Sequence, residues 1–116
     1  MRYFISFGLA LTLLCGAAAA QAAVTPADLL AHGATYDGKS VTVAGTVGSI
    51  VHKTSARGNA YTTFDLCTGS ACIRVFEYGA PSLTTGQSLT VTGTFAVEKH
   101  VGSSVYHNEL DVESGQ

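Results

Sequence analysis

The chain has 116 residues, 47% of them apolar and only 12% charged, with six Lys and Arg against eight Asp and Glu. That length holds one small domain with a modest core. A formal net charge of −2 excludes a protein that grips polyanions through bulk positive charge.

Residues 1–22, MRYFISFGLALTLLCGAAAAQA, place Arg2 before an apolar stretch from Ile5 to Cys15 and end on Ala20-Gln21-Ala22. This order is that of a cleaved secretory signal peptide, so the mature chain is expected to start near Ala23 and to be periplasmic or secreted. The apolar centre is shorter than the roughly 20 residues of a membrane span, and no transmembrane segment is expected in the mature chain. A lipoprotein signal acylated at Cys15 would want a small residue where Leu14 stands. Cleavage leaves five cations, Lys39, Lys53, Arg57, Arg74 and Lys99, against all eight carboxylates. It also leaves two cysteines, Cys67 and Cys72, in an oxidising compartment where pairing is the default.

Residues 23–39 read as a short helix and lead-in. Thr25 is a candidate N-cap, Pro26 suits the first helical position, Asp28 falls in the first turn, and the helix is expected to end before Gly33. From residue 40 to 114 the period changes to two. SVTVAGTVGSIVH is a first strand, bent or bulged by Gly45 and Gly48, and KTSARGN is a polar loop. AYTTFDLC, ACIRVFEYG, SLTVTGTFAVE and VYHNELDV are four more strands, joined by turn-rich links. Five short strands in a chain of this size predict an all-β, small closed barrel.

VTVAGTVGSI, GNAYTTFDL and IRVFEYG resemble the first three strands of the OB-fold family, in particular its anticodon-binding-like modules, and GQSLTVTGTF is similar to the fourth. The resemblance covers about residues 40–97 and implies a five-stranded Greek-key barrel whose second and third strands bind oligonucleotides or oligosaccharides.

A four-residue loop, Thr68 to Ala71, would set Cys67 opposite Cys72, Leu66 opposite Ile73, Asp65 opposite Arg74, Phe64 opposite Val75, Thr63 opposite Phe76 and Tyr61 opposite Tyr78. Leu66, Ile73, Phe64 and Val75 then share the interior face, and Asp65 with Arg74 becomes an exterior ion pair. Cys67 and Cys72 come within reach of a disulfide. A zinc site lacks ligands, a redox pair would favour C-x-x-C at a helix start, and covalent haem would require C-x-x-C-H. A structural disulfide is the expected outcome.

The exterior face would present Tyr61, Thr63, Arg74, Phe76 and Tyr78. Lys53, Arg57 and Asn59 lie in the loop after the first strand, and Lys99 with His100 in the loop before the fifth. Aromatics among cations make a stacking platform for single-stranded nucleic acid, an oligosaccharide or another extended polar ligand. Burial of Phe76 and Tyr78 under Leu29 and Leu30 of the helix is the competing expectation.

EYGAPSLTTGQSLTVTGTF also resembles a stretch of the periplasmic haem chaperone of cytochrome c maturation, which carries haem on a histidine with a His-x-x-x-Tyr spacing. Here His100 and Tyr106 are farther apart, so that chaperone, or a module contacting an envelope protein, is the second reading. No nucleophile–base pair or metal-protease motif is present, so binding rather than catalysis is expected, with no cofactor and no metal.

Overall fold

The computed structural model describes residues 23–113. The signal-peptide reading of residues 1–22 lies outside the described residues. Thr25 caps a helix α1, Pro26–Ala31, in a reciprocal box: its hydroxyl accepts from the Asp28 amide at 3.1 Å, and the Asp28 carboxylate accepts from the Thr25 amide at 3.0 Å. These bonds to the ionised carboxylate hold the Asp28 pKa below its ordinary value. The expected stop before Gly33 holds, with His32 at the C-cap, but a further turn, α2, Gly33–Tyr36, follows.

Five strands come next: β1, Ser40–Thr54; β2, Ala60–Thr68; β3, Ala71–Tyr78; β4, Ser88–Val101; and β5, Ser104–Val112. They close into a barrel in the order β1-β2-β3-β5-β4, antiparallel throughout except for the parallel β3–β5 pair. Two expected boundaries are corrected. β1 runs on past His52 through Lys53 and Thr54, and β4 through Lys99, His100 and Val101, because the β1–β2 and β4–β5 hairpins extend as two-stranded arms beyond the shared ladder. Lys53, Lys99 and His100 therefore stand on strands, while Arg57 and Asn59 stay in the β1–β2 turn.

Gly48 pairs with Asp65 but Val51 with Thr63, so β1 carries an extra residue where Ser49 adopts a φ of 36°. This bulge lets one strand pair with β4 at its start and with β2 at its end. Gly45 serves another need: a Cβ there would meet the Cys67 carbonyl at 2.9 Å and the Pro26 ring at 3.2 Å. The missing side chain lets α1 sit against the seam between β1 and β2.

The hairpin register between β2 and β3 is the one expected, from Tyr61–Tyr78 to Thr68–Ala71. Phe64, Leu66, Ile73 and Val75 are buried inside the barrel with Val43, Phe95 and Leu110. Leu29 joins this core from α1, whereas Leu30 stays 40% exposed. Cys67 and Cys72 form the expected disulfide, with their Cα atoms 4.0 Å apart.

A candidate ligand groove between two hairpin arms

The register arranges the exterior face of the sheet in rows. Gly48, Asp65, Arg74, Glu109 and Ala96 make one row, and Val51, Thr63, Phe76, Asp111 and Thr94 the next. Lys53, Tyr61 and Tyr78 make a third, shorter row. Over these rows lies a groove of about 920 Å³ whose lining includes Ser55 and Tyr61 from the β1–β2 hairpin, Phe76 and Tyr78 from β3, and Lys99, Val101 and Tyr106 from the β4–β5 arm. None of its lining residues belongs to α1, so the helix does not cover the aromatic face.

Tyr61 stacks on Phe76 with ring centroids 5.1 Å apart, and Phe76 meets Tyr78 edge to face at 5.1 Å. Tyr78 is 53% exposed, Tyr61 and Phe76 are half-buried, and Thr63, expected on the surface, is buried. Thr63 falls between Val51 and Phe76 in its row, and larger side chains close over it.

Electrostatics changes one expectation. Arg74 is not paired with Asp65: its Nε donates to Glu109 Oε2 at 2.7 Å. β5 runs alongside β3 and brings Glu109 level with Arg74, and the Glu109 side chain, 2% exposed, needs a cation far more than the wetter Asp65 does. Lys99 reaches in from β4 to Glu109 Oε1 at 3.1 Å and to Asp111 Oδ2 at 2.6 Å. Burial alone would lower the Lys99 pKa, but the hydrogen bonds and charges of Asp111 and Glu109 outweigh it and the net shift is upward. The two cations also lie on rings, Arg74 4.4 Å from the Tyr106 centroid and Lys99 5.2 Å from that of Phe76.

Of the ten residues expected to bind a ligand, Tyr61, Arg74, Phe76, Tyr78 and Lys99 come together in the groove. Lys53 stands level with Tyr61 outside the lining, Arg57 and Asn59 are exposed in the β1–β2 turn, and Thr63 is covered. His100 faces Glu98, with Nε2 and Oε2 2.7 Å apart, and does not line the groove. Sequence reasoning missed Glu109, Asp111 and Tyr106. Glu109 and Asp111 could have been found from their spacing of two on a strand returning beside β3. Tyr106 is out of phase with them: Asn108, at a φ of 53°, and Val97 drop out of the β4–β5 ladder, so Tyr106 reaches the side that carries Glu109.

The lining holds three carboxylates, Glu109, Asp111 and Glu113, against the two cations Arg74 and Lys99. Asp111 Oδ1 is closed off and has no hydrogen-bond partner among the described residues. Comparison with protein-family models and with curated proteins returned no match.

Proposed function

We propose that this protein is an exported binding module of OB-fold type, and that the groove between its two hairpin arms holds an extended polar ligand without transforming it. The strand order, the parallel β3–β5 closure and the bulged first strand support the fold assignment. The helix that helps fill this barrel precedes β1 in the chain. The observation that carries the function is the aromatic run Tyr61–Phe76–Tyr78 along the floor of a groove walled by both arms.

The charge balance favours an oligosaccharide over a polyanion. Arg74 and Lys99 are committed to Glu109 and Asp111, and carboxylates outnumber cations in the lining. Sugar rings stack on aromatic faces while their hydroxyls bond to carboxylates. Single-stranded nucleic acid is the second reading, carried by Lys53, which stands in the Tyr61–Tyr78 row and is in no ion pair among the described residues.

Titration with neutral oligosaccharides and with a thymidine oligomer, at low and moderate salt, separates the two. Sugar binding that ignores salt and is lost in Tyr61→Ala and Phe76→Ala supports the first reading. Oligonucleotide binding that falls steeply with salt supports the second. Binding of neither, or binding that survives both substitutions, contradicts the proposed groove.

A further inference from the structure

Charge is distributed unevenly along this chain. Residues 38–64 contain no Asp or Glu, yet they include Lys39, Lys53 and Arg57. Lys53 and Arg57 sit on the β1–β2 arm and its turn, and neither is in an ion pair among the described residues. Nothing in the arm itself neutralises them.

Exposed apolar side chains gather at the same end of the barrel. Among the described residues five large hydrophobic side chains are exposed, and four of them, Val51, Tyr78, Val101 and Val105, belong to the two arms or to the end of β3 that lies between them. Tyr78 and Val101 line one groove with Ser55 of the β1–β2 turn, so the arms converge there. Val105 pairs across its hairpin with His100, beside Val101. Cations next to protruding aliphatic and aromatic side chains are the combination that partitions into a lipid headgroup layer. A polynucleotide has use for the cations and the tyrosine but none for exposed valines at both arms.

We propose that the end of the barrel bearing Val51, Lys53, Arg57, Tyr78 and Val101 is a docking face for an anionic lipid surface. Lys53 and Arg57 meet the headgroup phosphates, and Val51, Val101 and Tyr78 enter the interfacial layer beneath them. The docking face shares Tyr78 and Val101 with the groove but does not need Arg74 and Lys99, which are held by Glu109 and Asp111.

The test is co-sedimentation of the chain lacking residues 1–22 with vesicles of equal parts phosphatidylglycerol and phosphatidylcholine, and with pure phosphatidylcholine. Binding to the mixed vesicles is expected to weaken with salt and to be at least tenfold tighter than to the neutral ones. Removing a cation from such a surface weakens binding about fivefold, so Lys53→Gln with Arg57→Gln is expected to lower it by more than tenfold. Val101→Asp, an exposed substitution, is expected to lower it as well, while Leu30→Ala, exposed on α1, leaves it unchanged. Equal binding to both vesicle types, absence of binding at low salt, or indifference to the Lys53 and Arg57 substitutions would overturn the proposal. So would tight binding of a thymidine oligomer through Lys53 and Arg57 with no binding to vesicles.

Discussion

Glu109 has almost no contact with water and holds two cations from two different strands. Glu109→Ala leaves Arg74 without its carboxylate and Lys99 with only Asp111, and an ion pair broken on its buried side costs about 2–3 kcal/mol once the partial exposure of both cations is allowed for. Chemical denaturation should show that loss, with Asp65→Ala near neutral by comparison. Glu77 poses the opposite problem. It is 7% exposed on the interior face of β3, level with Thr62 and Val112, and is in no ion pair among the described residues. Burial raises its pKa above the ordinary 4.5. The folded state therefore holds the Glu77 proton more tightly than the unfolded chain does. Its contribution to stability is full below the unfolded value and is lost as pH rises through the folded one. Glu77→Gln removes that dependence, so its Tm should exceed the parent's at neutral pH and match it in acid.

The β4–β5 arm depends on one backbone feature at the level of the element. Asn108 takes a left-handed conformation, which asparagine tolerates and a β-branched residue does not, and this brings Tyr106 to Arg74 on the groove side. Asn108→Gly should leave stability within about 0.5 kcal/mol, whereas Asn108→Val should cost about 1–2 kcal/mol and speed hydrogen exchange between Val101 and His107. At the far end of the exterior face, the Cys67–Cys72 bond fastens the β2–β3 hairpin. Replacing both cysteines with serine should cost about 2 kcal/mol in the chain-entropy account. Intact mass should rise by two hydrogens on reduction of the parent. The strands themselves were legible from period-two patterning, and the hairpin register from pairing Leu66 with Ile73 and Phe64 with Val75. The extension of β1 and β4 into arms was not, because polar two-stranded ribbons such as those of Lys53–Thr54 and Lys99–Val101 look like loops when neither face is apolar. Nor did the sequence show that Arg74 would choose Glu109 over Asp65, since that choice depends on a parallel pairing between strands more than 30 residues apart.

Across the whole molecule, barrel closure makes one floor from separate strands. β3 supplies Arg74, Phe76 and Tyr78, β5 supplies Glu109 and Asp111, and the two arms supply Tyr61, Lys99 and Tyr106. The aromatic half of this site was readable from the alternation of ACIRVFEY, because a strand with one buried face must turn Arg74, Phe76 and Tyr78 outward. The acidic half was hidden by topology, and it shifts the expected ligand from a phosphate polymer toward a hydroxyl-rich one. The most direct test of the groove is amide chemical-shift mapping of the isotopically labelled protein during titration with a neutral oligosaccharide. Shifts are expected to concentrate at Tyr61, Phe76, Tyr78, Lys99 and Tyr106 and to be absent from α1. No shifts, or shifts centred on α1 and the Cys67–Cys72 end of the barrel, would contradict the proposed groove.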